Sequence, residues 1–136
     1  MNKFKYIFTL FFIATFMKLS AITLTIEVTN IDTEIGNNLV FTVSKNAEEF
    51  PKKPSKKQIV KISNSTHSVK FFLNEGYYGV YVYHDENGNK EIDRYFFGMP
   101  KEEIAVYNYD YFGMPEFEKS KFYLKEDKKI TLRLDY

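Results

Sequence analysis

The chain has no cysteine and no tryptophan among its 136 residues, two histidines, six glycines and four prolines. Without cysteine there is no disulfide framework, no thiol nucleophile and no lipid-modified cysteine after a leader segment. The two histidines, His67 and His84, stand in no recognisable zinc or triad spacing, and the nucleophile-elbow pattern G-x-S-x-G does not occur. Long apolar runs are missing as well. The stretch from Ile7 to Met17 is uncharged and apolar, but a membrane-spanning helix needs about 20 such residues. Behind the short basic head Met1-Asn2-Lys3-Phe4-Lys5-Tyr6, this run has the form of a signal peptide. Ser20-Ala21 supplies small residues for cleavage after Ala21, with Leu19 where a second small residue is preferred. The expected organisation is a signal peptide over 1–21 and one domain over 22–136. The product is expected to be periplasmic or secreted, with no stable membrane span after cleavage.

An excess of charge of one sign is also absent. Of 19 Lys and Arg residues, Lys3, Lys5 and Lys18 fall in the signal segment, which leaves 16 against 18 Asp and Glu, a net charge of −2. Nucleic-acid-binding domains carry a basic excess or stripe, so no nucleic-acid partner is expected. The one basic cluster, Lys52-Lys53 and Lys56-Lys57 beside Pro51 and Pro54, reads as a solvated loop.

What the chain does hold is β-sequence rich in phenylalanine and tyrosine, 14 and 11 residues respectively. Ile22 to Thr29 alternates with period two and sets Ile22, Leu24, Ile26 and Val28 on one face. Leu39, Phe41 and Val43 alternate with Val40, Thr42 and Ser44 in a second strand. Further strands are predicted at 58–63, 66–73, 77–84, 121–125 and 129–134, separated by turn residues. The strand at 77–84 is the most β-prone. It places Tyr78, Val80, Val82 and His84 on one face and Tyr77, Gly79, Tyr81 and Tyr83 on the other. About seven short strands predict an all-β fold, an antiparallel β-sandwich of immunoglobulin-like or transthyretin-like form. The exception is 93–120, which is long, aromatic and irregular, as functional loops are. It contains Phe-Gly-Met-Pro twice, at 97–100 and 112–115. Two Gly-Pro turns that tuck a Phe and a Met into the end of the sandwich would explain the repeat, and so would a ligand-facing aromatic lid.

The segment after the tyrosine-rich strand, Asp85-Glu86-Asn87-Gly88-Asn89-Lys90-Glu91-Ile92-Asp93, carries oxygen-bearing side chains at its first, third, fifth and ninth positions. Alternate oxygen ligands let a tight loop wrap one hard cation, and calcium takes about six to eight oxygens. The candidate metal ligands are Asp85, Asn87, Asn89 and Asp93, with Glu91 contributing its backbone carbonyl. Measured against an EF-hand, the sixth position is Lys90 instead of glycine and the twelfth is Phe96 instead of a bidentate Glu. A carboxylate from Glu102, Glu103 or Asp110 would have to replace the latter. With few charged ligands, an extracellular-type calcium site of about millimolar affinity is expected. The competing expectation is a plain hairpin. Asn87-Gly88 favours a type I′ turn, which would pair 77–84 with a strand near 92–97.

From Gly76 to Phe117 the chain reads GYYGVYVYHDENGNKEID, then GMPKEE, YN and MPEF. In these motifs it resembles an uncharacterised bacterial family of exported domains, domain of unknown function 2141, over essentially the whole mature length. The resemblance implies a small exported β-sandwich and no established activity. It departs at Lys90, where the family usually has glycine.

The function these features favour is an exported, non-catalytic binding or structural module, stabilised by calcium at 85–93. Tyr81, Tyr83, Tyr95, Tyr107, Tyr109 and Tyr111 are the candidate contact residues for an envelope protein, a peptide or a glycan, since tyrosine offers rigid area with a polar tip. Packing of several of them against the second sheet face is the competing expectation. The alternatives are a carboxylate-dependent hydrolase using His84, or an envelope assembly protein that offers a sheet edge.

Overall fold

The computed structural model describes residues 20–110 and 113–136. The signal peptide expected over 1–21 therefore lies almost wholly outside the described residues. Eight strands and one short helix follow: β1 (Ile22–Thr29), β2 (Asn38–Ser44), β3 (Lys56–Lys61), β4 (His67–Leu73), β5 (Gly76–Asp85), β6 (Ile104–Val106), α1 (Phe117–Ser120), β7 (Phe122–Leu124) and β8 (Lys128–Arg133).

Two sheets face each other. One has the order β4-β1-β8 and the other β3-β2-β5-β6, with β7 also on β5. The expected sandwich is thus present, with one pairing of the opposite sense: β1 runs parallel to β8, Ile26 beside Ile130 and Val28 beside Leu132. Parallel neighbours need a long connection, and here most of the domain lies between the two strands.

Period two explains the core. Leu24, Ile26 and Val28 are fully buried, and they meet Leu39, Phe41 and Val43 of β2 and Val80 and Val82 of β5 between the sheets. Each such side chain contributes about 1.5–3 kcal/mol by leaving water. The flank between β3 and β4 is closed by side chains. Lys56 Nζ donates to the Phe72 carbonyl and Gln58 Nε2 to the Lys70 carbonyl, each at 2.6 Å.

The outer face of the larger sheet carries a second cluster. Val40, Tyr81 and Tyr83 lie beneath Phe50, from the loop after β2, and Phe117 of α1. The rings of Phe50 and Tyr81 meet edge to face at 5.9 Å, those of Phe50 and Phe117 at 6.1 Å. β5 is consequently buried on both faces.

The segment 93–120 is more structured than its composition suggests. It opens with a tight hairpin in which Lys101 N donates to Asp93 O, Tyr95 N to Met99 O, and Gly98 N to Tyr95 O. It then returns to β5 as β6, Tyr83 beside Ile104 and Tyr81 beside Val106. No strand at 92–97 pairs with β5, so the hairpin expected around Asn87-Gly88 is not formed. The partner after the turn is β6, because the 85–93 loop and the 93–101 hairpin intervene.

Candidate metal centre

β5 delivers the first residue of the loop. Asp85 ends that strand, is 0% exposed, and turns its carboxylate inward. Its Oδ2 accepts from Asn38 Nδ2 at 3.1 Å and from Lys90 N at 2.9 Å, so the carboxylate ties the loop's sixth residue back to its first. Asn37 Nδ2 donates to the Glu86 carbonyl from the same turn before β2.

The alternate-residue spacing builds a chain of local turns. Asn87 Oδ1 accepts from Asn89 N at 3.0 Å, and Asn89 Oδ1 from Glu91 N at 2.9 Å. These are the side-chain to backbone bonds that make Asn a turn residue. Both Asn side chains also converge on Asp93. Nδ2 of Asn87 donates to Asp93 Oδ2, and Nδ2 of Asn89 lies 3.0–3.1 Å from both Asp93 oxygens. Gly88 and Lys90 both have positive φ, 76° and 66°. Lys90 therefore takes the left-handed conformation that glycine adopts at no steric cost.

Glu102, two residues before β6, reaches into the same place. It is 7% exposed, and its Oε2 accepts from Asp93 N at 3.2 Å. Burial above all pushes its carboxyl up to about 7; the Asp93 N–H and, more weakly, the Glu86 N–H oppose this, and the nearby Asp93 and Asp85 carboxylates add to it. Tyr83, whose hydroxyl donates to Lys90 O at 3.0 Å, is pushed up by burial and then by Asp85, Glu102, Glu91 and Asp93. Two groups from separate segments thus register one concentration of negative charge. Asp85 Oδ1 and Glu102 Oε1 are buried without a hydrogen-bond partner among the described residues.

Five candidate metal-site residues therefore share one loop. Asn87 and Asn89 converge on Asp93, whose N–H donates to Glu102 Oε2, while Asp85 holds the loop through Lys90 N and the Glu91 side chain is exposed; of the three acids offered, Glu102 is the one hydrogen-bonded to the loop. Among the described residues no group of three or more His, Cys, Asp or Glu side chains forms a metal-holding set by itself. A cation here would have to draw on amide and carbonyl oxygens too. Each Asn oxygen has a second lone pair beside the one its backbone bond uses, and oxygen-only ligation suits calcium. Asn37 and Asn38, which fasten the loop to the start of β2, escaped the sequence reading; their only signal was an Asn-Asn turn.

The tyrosines separate. Tyr81 and Tyr83, expected as contact residues, are 0% and 2% exposed in the second cluster, so they are not on the surface. The reason is the cover from Phe50 and Phe117 over a sheet face that alternation alone leaves open. Tyr107 is half-buried against Phe122, ring centroids 5.0 Å apart. Tyr109 is half-buried and donates to Met114 O at 2.7 Å. Tyr95 is exposed and stacks on Phe97 at 5.3 Å, while Tyr111 lies outside the described residues. The first Phe-Gly-Met-Pro copy does not tuck inward either. Phe96 at the hairpin tip is 100% exposed and Phe97 62%, with Met99 and, from the second copy, Met114 also exposed.

Both histidines are committed to structure. His84 is fully buried; its Nε2 donates to Gly36 O at 2.7 Å, which leaves Nδ1 to accept from the Tyr136 hydroxyl at 2.5 Å. His67 Nε2 accepts from the backbone N–H groups of Ser63 and Asn64.

No curated protein and no solved structure matches the sequence. A family model described as an uncharacterized protein conserved in bacteria matches residues 26–131, from within β1 to within β8. Because that match takes in both sheets and the whole loop cluster, the chain belongs to the domain of unknown function 2141 family.

Proposed function

We propose that the protein is an exported, non-catalytic binding or structural module in which a calcium ion, held by the 85–93 loop together with Glu102, fixes the exposed hairpin 93–101 for contact with a partner. The observation that carries this reading is the pair of buried, unpartnered carboxylate oxygens, Asp85 Oδ1 and Glu102 Oε1, in a cluster with Asp93. Buried charge of one sign requires a proton or a cation. Asp93 links the two halves, because its backbone binds Glu102 on one side and Lys101 on the other. Export is supported by the basic head and the apolar run, and the contact role by Tyr95, Phe96, Phe97 and Met99, apolar groups displayed together at one tip. The partner fitting such a tip is an envelope protein, a peptide or a glycan. The hydrolase alternative has no accessible His84 to use.

The test is the thermal midpoint of residues 22–136 in chelator and across a calcium series to several millimolar. A ligand that binds only the folded chain stabilises it by RT ln(1 + [L]/Kd), about 1 kcal/mol at roughly five times a millimolar Kd, a few degrees for a domain of this size. A saturable rise is expected in the wild type, with magnesium much less effective. Asp85→Asn and Glu102→Gln should each lose most of it. An unchanged midpoint at every concentration sinks the calcium reading.

A further inference from the structure

The outer face of the larger sheet carries a cleft of about 360 Å³ between the lysine and proline loop and the far end of the 85–93 loop. Thr42 and Tyr83 line it from the strands, Pro51 and Pro54 from one wall, and Ile92 from the other. Four cations also line it, Lys52, Lys57, Lys90 and Arg94, against one carboxylate, Glu91. None of the four pairs with an acid among the described residues. Lys57 Nζ donates to the Lys90 carbonyl at 2.7 Å, and Arg94 spends Nη1 on Gly98 O at 2.8 Å. The Arg94 Nη2 group is buried and has no hydrogen-bond partner among the described residues.

We infer that this cleft is a binding site for a small organic anion, a carboxylate or phosphate carried on a ring of about the size of one sugar. The charge argument is that like-signed groups around a cleft focus potential into it and concentrate a ligand of the opposite sign. A guanidinium matches carboxylate and phosphate oxygens, and at Arg94 the unpartnered Nη2 is the group left over once Nη1 is held by Gly98 O. The size argument is that the volume lies at the small end of the range for ligand pockets. Pro51, Pro54 and Ile92 supply apolar patches for the ring within a lining that is mostly polar, as a charged ligand requires. The lysine loop, expected from sequence to be merely solvated, acquires a role because the fold brings Lys90 and Arg94 to face it. Lys52, Lys57 and Arg94 lie outside the 85–93 loop, while Lys90, Glu91 and Ile92 belong to it, so the cleft shares one wall with the proposed cation loop.

The test is an amide-shift titration of residues 22–136, which include every described element, with glucuronate, glucose 6-phosphate and glucose. It is run in chelator and repeated in calcium, so that failure of the cation reading leaves the result intact. Saturable shifts confined to residue 42, the non-proline residues of 51–57, 83 and 90–94 are expected with the charged sugars and not with glucose. The two charged probes tell carboxylate from phosphate preference. The Lys52→Gln/Lys57→Gln double variant alters exposed side chains and should fold, with its melt as the check, and should bind about tenfold more weakly or worse. Absence of saturable shifts up to about 20 mM, equal binding of glucose, or undiminished affinity in the folded double variant would each overturn the proposal.

Discussion

Glu102 shows what a buried carboxyl does to a small domain. In the unfolded chain it titrates near 4.5, and in the folded chain burial and the Asp93 and Asp85 carboxylates raise it to about 7. The folded state therefore holds the proton more tightly. The stability this group contributes is complete below about pH 4.5 and is lost as pH rises through about 7. In chelator, the thermal midpoint is expected to fall between about pH 5 and pH 8 on this account, and Glu102→Gln should flatten that part of the profile. Calcium should raise the midpoint more at pH 8 than at pH 5, because it replaces the proton. Calorimetry across pH checks all three, and a wild-type profile already flat in chelator contradicts the placement of Glu102. At this scale the sequence was legible wherever chemistry is local. The oxygen spacing from Asp85 to Asp93 forms one loop because Asx side chains act on their own backbone. Glu102 could be offered only as one acid of three, because which residue nine positions beyond Asp93 meets the loop is decided by how the chain returns to β5.

β5 is the element on which both clusters depend. Its alternation separates Val80 and Val82 from Tyr81 and Tyr83 as the sequence indicates, but alternation does not reveal whether the second face meets water or protein. Gly79 is where that second face is tightest. A Cβ there would stand 3.0 Å from ring carbons of both Phe117 and Phe50. Overpacking of this kind costs about 1–3 kcal/mol, so Gly79→Ala should lower the urea midpoint with little change in slope. If Gly79→Ala is neutral, the two phenylalanines do not press on the sheet. Such cover is invisible locally, since Phe50 and Phe117 come from segments that read as loop.

For the whole molecule, the sandwich class followed from period two, whereas the parallel pairing of β1 with β8 did not, because local pattern does not name a distant partner. That pairing brings the last described residues against the first strand. Leu134 is fully buried and its N–H donates to Thr29 O, while the Tyr136 hydroxyl accepts from Asp32 N and serves His84. Tyr136→Phe removes the hydroxyl and strands the His84 ring nitrogen in a buried site, at a cost of about 1–3 kcal/mol. Leu134→Ala should cost about 2–5 kcal/mol. Both losses should appear as one cooperative transition at a lower denaturant midpoint, and separate transitions would show that the terminus is not integral to the fold.

The side chains that Lys56 and Gln58 extend to the carbonyls of β4 have a consequence for how molecules of this protein meet one another. Strand edges left open are templates on which a second chain can crystallise, and they are the usual starting point of fibres. Here two rungs of that template are already filled by amine and amide groups from the facing sheet. A copy approaching this flank meets lysine charge and occupied acceptors, so growth by strand addition is discouraged at the seam where the two sheets come closest to an exposed border.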